Sequence, residues 1–149
     1  MSDKSPFDPQ TFLPYRLNMA AEAASVGFQK VYRSRYGMQR AQWRVLFHLG
    51  AYGAMTATEI RRRSGIDKAK ISRAVAALDG RGWLSMKTPK TDRRQSILSL
   101  TAKGQTAYAD LCAVAEAYDG RLASLFTPEE AAVLRKALLT LSMADIPDA

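Results

Sequence analysis

The sequence predicts a mainly α fold with a single small β-hairpin, and three observations carry that expectation. Apolar residues recur at spacings of three and four near both ends of the chain, the periodicity of amphipathic helices. Two short segments in the middle each open on a helix-capping residue, with a tight turn between them. Two later runs, WLSMKT and QSILSL, alternate apolar and polar residues as half-buried strands do.

Residues 1–10 read as a flexible polar tail, and a long helix follows from Thr11 to about Tyr36. Leu13, Leu17, Ala20, Ala24, Phe28 and Val31 form its stripe, and Gly37 stops it. A second helix runs from about Gln39 to Ala51 on Trp43, Leu46, Phe47 and Leu49, and Tyr52-Gly53 ends it. In MTATEIRRRSG, Thr56 and Glu59 have capping-box spacing, and Met55 and Ile60 the spacing of a hydrophobic staple. A short helix therefore starts at Ala57 and closes on Gly65. Asp67 caps the next helix, with Ile66 and Ile71 as a second staple, and Gly80 and Gly82 end it. The two strand runs and their Pro89–Arg94 connection come next, completing the order of a winged helix-turn-helix. Thr101 then caps a long helix to about Phe126. Thr127-Pro128-Glu129-Glu130 starts the last one, which carries Ala131, Leu134, Leu138 and Leu141.

This order divides the chain into a winged module over residues 37–101 and flanking helices over 11–36 and 102–143. The apolar stripes of the flanking helices exceed what one small lobe can cover, so they are expected to form a dimerisation domain. The expected partner is a second copy of the chain, because two-fold dimers are the commonest soluble oligomers. A two-fold reader of B-DNA sets its two recognition helices about 34–36 Å apart.

Charge sharpens the reading. From Thr56 to Lys103 there are 12 Lys and Arg against four Asp and Glu, while the remaining residues hold ten of each. One basic lobe on a neutral frame is the footprint of a polyanion binder. No apolar run approaches the roughly 18 residues that span a bilayer. MSDKSPFDPQ lacks the apolar core of a signal peptide, and the single cysteine, Cys112, has no internal disulfide partner. The expected setting is the cytoplasm, with no membrane association. One histidine, one cysteine, no metal-spaced cluster and no glycine-rich phosphate loop leave no catalytic constellation, so neither an enzyme nor a cofactor is expected.

On a wheel of about 100° per residue, Ile71, Val75 and Leu78 point to the core. Ala69, Ser72, Arg73 and Ala76 face outward, with Lys68 and Lys70 beside them near the helix start. That face reads as small, polar or basic with no acid, which suits a helix seated in a nucleic-acid groove. Arg73, Ser72 and Lys70 are the candidates for base edges, since arginine to guanine is the commonest specific contact. Thr56, Thr58, Ser64 and Lys68 are better placed for phosphates. Arg61, Arg62 and Arg63 cannot share one helix face, so one or two are expected at phosphates.

Three strings carry a family resemblance: RYGMQRAQWRVLFHLG at 35–50, TATEIRRRSGIDKAKISRAVAALDGRGWL at 56–84 and TDRRQSILSLTAKG at 91–104. In this order and spacing the chain, from about Leu13 to Leu141, resembles the MarR (multiple antibiotic resistance regulator) family of winged helix-turn-helix regulators. The resemblance implies a triangular homodimer with the fourth helix in the major groove and the wing in the minor groove. It also implies a palindromic operator on double-stranded DNA that is released when a small ligand, often a phenolic or other aromatic acid, binds.

The family's wing carries a D-x-R element, here Asp92-Arg93-Arg94. By motif position Arg94 enters the minor groove, where negative potential is enhanced, while Arg93 and Lys90 touch phosphates. Asp92 then orients an arginine by charge-assisted hydrogen bonds. In relatives an effector pocket lies between the dimer frame and the DNA lobe. Tyr15, Arg16, Met19, Trp43 and His48 either line such a pocket, with Arg16 pairing a ligand carboxylate, or serve as core and interface residues. Oxidant-sensing relatives keep their thiol near the start of the first helix, where this chain has Thr11 and Phe12, so Cys112 reads as structural. The expected function is a dimeric, ligand-released repressor. A ligand-independent or architectural DNA binder is the alternative.

Overall fold

The structure is a computed structural model and describes residues 6–90 and 95–149. It falls into two compact units, Met1–Cys112 and Ala113–Ala149.

The first unit carries a short 3-10 turn ahead of its first long helix. Asp8 accepts a hydrogen bond from the Gln10 amide (2.9 Å) and starts a 3-10 turn over Pro9–Thr11. The first long helix, α1, consequently begins two residues later than expected and spans Leu13–Tyr36. Pro14 sits within its first turn, where a missing N–H costs nothing. α2 spans Arg40–Tyr52, and at its start the Gln42 side-chain oxygen accepts the Gln39 amide at 3.2 Å. Its buried residues are Val45, Leu46, His48 and Leu49, whereas Phe47, one of the apolar residues of the expected helix, is exposed. Trp43 belongs instead to an aromatic cluster, edge-on to Phe28 (5.1 Å) and stacked on Tyr32 (6.1 Å) of α1.

The sheet has three strands rather than the two expected. β1 (Met55–Thr56) pairs antiparallel with β3 (Ile97–Leu100), which also pairs with β2 (Leu84–Lys87), giving the order β1-β3-β2. A two-residue strand is too short to show an alternation, and Met55-Thr56 also serves the next helix as staple and cap.

That helix, α3, spans Ala57–Ser64, and α4 spans Lys68–Gly80. Between them Gly65 takes the left-handed conformation (φ 68°), which a Cβ would strain, and returns its N–H to Arg61. Ile71, Ala74 and Leu78 of α4 are buried with Leu46, Leu49, Ile60 and Leu98, while Val75 is only half-buried. α5 spans Ala102–Ala123. Thr101 opens it by accepting the Gly104 amide (3.1 Å) and donating its hydroxyl to the Gly82 carbonyl (2.7 Å). A Cβ at Gly104 would collide with the Trp83 carbonyl, so the spacing Leu100-Thr101-x-x-Gly104 fastens the start of α5 to the root of the wing.

In the second unit, α5 ends three residues before the expected Phe126, and a turn leads into α6 (Pro128–Met143). Thr127 and Glu130 form the expected reciprocal cap. Arg135 bridges Asp119 at 2.7 Å. No residue of α6 is buried, and Val133, Leu134, Leu138, Leu139 and Leu141 are all exposed. Among the described residues no helix is long and apolar enough to cross a membrane.

Candidate nucleic-acid interface

The first two turns of α4 present what the wheel predicts. Lys68, Ala69, Lys70, Ser72, Arg73 and Ala76 are all exposed on a helix whose other side is anchored in the core. Asp67 holds its start, accepting the Lys70 amide at 3.0 Å, and this hydrogen bond keeps its carboxyl below the ordinary range. The Lys70 ammonium lies 3.9 Å from the same carboxylate, a loose pair between two exposed groups. Among the described residues Lys68 and Arg73 have no ion-pair partner. The expectation of an acid-free face needs one correction. Asp79, seven residues beyond Ser72, is exposed on the same side near the helix end. The acid-free stretch is therefore 68–76, the N-terminal part that reads bases in helix-turn-helix proteins.

α3 is organised differently. Thr56 accepts the Glu59 amide at 3.2 Å, so the cap is formed, but only half of the expected capping box exists. The Glu59 carboxylate turns to Arg62 (2.6 and 2.9 Å) and Arg63 (2.9 Å) instead. The hydrogen bond from Arg62 chiefly, with that from Arg63, pulls its pKa from 4.5 to about 2. The Arg63 guanidinium also lies 4.8 Å from the Tyr52 ring centre. Of the arginine triple, two are thus engaged within the chain, and Arg61 has no ion-pair partner among the described residues. Thr58 is exposed. Ser64 accepts the Ile66 amide through its hydroxyl oxygen (3.2 Å), which leaves its O–H to donate outward.

The wing is described to Lys90, which is exposed, and resumes at Gln95. The expectations for Asp92, Arg93 and Arg94 fall outside the described residues. Below the tip, the Thr88 and Ser96 hydroxyls meet at 3.1 Å. At the wing root Trp83 is buried with the Arg81 guanidinium 4.0 Å from its ring centre and Tyr36 edge-on at 5.9 Å. Tyr36 donates in turn to Asp110 (2.6 Å), which also pairs with Arg35 at 2.9 Å. Both bonds lower the Asp110 pKa, and the bond to Asp110 raises that of Tyr36. Trp83 and its neighbours were not singled out in the sequence, where a tryptophan next to a strand reads as ordinary core.

The five expected ligand-pocket residues fall into two groups. Tyr15, Arg16 and Met19 are exposed on the first turns of α1, where Arg16 donates to Gln10 at 3.0 Å. Trp43 sits in the aromatic cluster, and His48 is buried with Nδ1 2.6 Å from the Arg44 carbonyl. A carbonyl only accepts, so Nδ1 carries the proton. Cys112 is half-buried and hydrogen-bonds Tyr108, whose hydroxyl is pushed up to about 12 mainly by that bond. Among the described residues no group of three or more His, Cys, Asp or Glu is placed to hold a metal.

Comparison with known proteins agrees with this geometry. A MarR family model matches residues 36–95, from the end of α1 into the wing. The crystal structure of the MarR family transcriptional regulator SPO1453 from Silicibacter pomeroyi DSS-3 is 30% identical, with a TM-score of 0.79. That likeness covers 91% of this chain and 96% of the other. The chain belongs to the MarR family. BpsR of Bordetella bronchiseptica, whose DNA binding is regulated by 6-hydroxynicotinic acid, has the same fold. Its TM-score is 0.83 at 23% identity, covering 95% of this chain and 100% of BpsR. An uncharacterized HTH-type transcriptional regulator, YwoH of Bacillus subtilis (strain 168), is 26% identical over 76 residues. Those residues are 51% of this chain and 55% of YwoH, so the match spans about half of that relative.

Proposed function

We propose that the chain is a homodimeric, sequence-specific DNA-binding transcriptional regulator. α4 enters the major groove, with Arg73, Ser72 and Lys70 at base edges and Ala69 allowing close approach. Thr56, Thr58, Ser64, Lys68 and Lys90 contact phosphates. Asp92, Arg93 and Arg94 act in the minor groove, an assignment that rests on the wing motif. The observation that carries this reading is the exposed stretch of α4 from Lys68 to Ala76, anchored beneath, capped at its start and free of acids. The test is a fluorescence-anisotropy titration of the full chain against duplexes from its own upstream region and against scrambled duplexes. Equal affinity for both would reject sequence-specific reading.

Dimerisation is supported by the apolar residues that each unit leaves uncovered. These are Phe12, Leu13 and Met19 in the first unit and Leu125, Leu134 and Leu138 in the second. A two-fold dimer would match a palindromic operator and act there as a repressor. Light scattering coupled to size exclusion should give twice the chain mass, and a monomer at micromolar concentration would reject the dimer.

For release by an aromatic acid, the regulation of BpsR by 6-hydroxynicotinic acid is the supporting parallel. Tyr15, Arg16, Met19, Trp43 and His48 are the proposed pocket. The packing of Trp43 against Phe28 and the turn of His48 onto its own helix favour a second reading, a ligand-independent DNA binder. A thermal-shift series with phenolic and nicotinic acids separates the two, since only a ligand-released regulator gains stability from one of them.

A further inference from the structure

Between the end of α1, the first turns of α2 and the turn into α4 lies a concavity of about 780 Å³. Among the described residues five cations line it, Arg33, Arg40, Arg44, Lys70 and Arg73, against one carboxylate, Asp67. Three of the five lie outside the basic lobe that the sequence marks between Thr56 and Lys103. Arg40 and Arg44 are four residues apart on α2 and so share one face.

The cations are held in place but only partly neutralised: Glu22 pairs with Arg40 and Asp67 lies near Lys70, while Arg33, Arg44 and Arg73 have no ion-pair partner among the described residues. Arg40 is fixed by Glu22 at 2.7 Å, yet its buried Nε has no hydrogen-bond acceptor among the described residues. Arg44 is half-buried and donates to the Ser64 carbonyl at 2.7 Å. Burial lowers its pKa, and the nearby charge of Arg40 lowers it further. Asp67 offsets only Lys70, whose ammonium its Oδ2 faces at 3.9 Å while its Oδ1 accepts the Lys70 amide. Gathering like charges in a partly desolvated recess is unfavourable unless an anion offsets it. Small-molecule clefts of this size, about 300–1,000 Å³, are usually apolar. This one is not, which points away from an aromatic monoacid and toward a compact, multiply charged anion.

We propose that this concavity binds a phosphate-bearing anion, gripped by Arg40 and Arg44 and closed over by Lys70 and Arg73. The phosphate has two possible sources, a free small molecule or the backbone of DNA beside α4. The free molecule is the favoured source, because the volume exceeds what one backbone phosphate fills. Its regulatory consequence rests on the proposed function. Lys70 and Arg73 cannot serve a bound anion and the major groove together, so the free ligand displaces DNA.

The test uses the full chain and inorganic pyrophosphate as probe, at fixed ionic strength. Isothermal titration without DNA should give one saturable site per chain, weakened at least tenfold in Arg40→Gln. The exposed Arg33→Gln, away from the Glu22 pair, should weaken it several-fold and guards against misfolding of the first variant. In a second arm, pyrophosphate should release duplex at concentrations where sodium chloride of equal ionic strength does not. If pyrophosphate does not bind but both variants, folded by circular dichroism, lose duplex affinity, the phosphate is that of the DNA backbone. If neither probe distinguishes the variants from wild type, the site is overturned. If pyrophosphate binds and no duplex does, the anion site stands and the DNA-binding reading fails.

Discussion

α3 and α4 are adjacent, both rich in cations and both capped by an oxygen side chain, but their charges are in opposite states. In α3, Glu59 takes up Arg62 and Arg63 from three and four residues away, and Tyr52 covers Arg63. In α4, Lys68 and Arg73 have no ion-pair partner among the described residues, and Lys70 has only a loose one. Counting basic residues therefore overstates what α3 offers a polyanion. What distinguishes the helices is the placement of one acid: at i in α3, within reach of i+3 and i+4, and at the cap or the far end in α4. Basic charge that is already paired must break a contact before it meets a phosphate.

The sharpest test sets one arginine of each helix against the other. Arg73→Ala should lower affinity for the preferred duplex by about 1–3 kcal/mol and relax the preference at one base pair. Arg62→Ala should cost less than about 0.5 kcal/mol, the scale of a surface change away from a specific contact. Anisotropy titrations at one salt concentration measure both. Equal losses would mean that Arg62 leaves Glu59 when DNA arrives, which erases the distinction between the helices.

The caps give the next largest effect. Thr56 accepts the Glu59 amide, and Asp67 the Lys70 amide, so replacing either with alanine should destabilise the fold by about 1 kcal/mol. Urea unfolding checks this. Asp67→Ala should in addition strengthen binding of inorganic pyrophosphate, since among the described residues it removes the one carboxylate lining the concavity.

Much of this organisation could be read from local signals. Caps at Thr56, Asp67, Thr101 and Thr127 depend on residues at most three positions apart, and the structure forms all four. The outward face of α4 followed from helical geometry alone. Long-range decisions were not legible. β1 became a strand only because β3 offered it an edge, and Glu59 chose Arg62 and Arg63 over the backbone amide that a capping box would assign to it. The cluster of Arg33, Arg40 and Arg44 with Lys70 and Arg73 joins residues up to 40 positions apart, which no window of sequence displays. The two arginines spaced by four on α2 were the available hint.

A smaller effect tests whether pairing alone keeps α3 out of the interface. Glu59→Gln removes the negative charge while leaving a side chain that still accepts hydrogen bonds. Arg62 and Arg63 then become available to phosphates. Each new phosphate contact steepens the slope of log affinity against log salt by about 0.9. The variant should bind scrambled duplex a few-fold more tightly at low salt, with a slope steeper by about 1–2. An unchanged slope would show that the face of α3 bearing these arginines does not reach DNA.

The same glutamate supplies the smallest effect, read without DNA. Its pKa is about 2 in the folded chain, against an ordinary 4.5, because the guanidiniums favour the charged form. A carboxylate with a depressed folded pKa stabilises the fold fully above its unfolded pKa. That contribution declines as pH falls below about 4.5 and is gone once pH has passed through about 2. Asp110, Asp67 and Glu22 are depressed too, so the wild-type curve alone mixes several groups. The informative quantity is the stability difference between wild type and Glu59→Gln, followed by urea unfolding from neutral pH downward. Above about pH 5 it should be constant, and toward acid it should narrow, because only wild type loses a charge in that window. Glu59 is only half-buried, so solvent screening makes it a small difference. A gap that stays constant to pH 3 would mean that the guanidiniums do not hold Glu59 in solution, and the contrast between α3 and α4 would lose its cause.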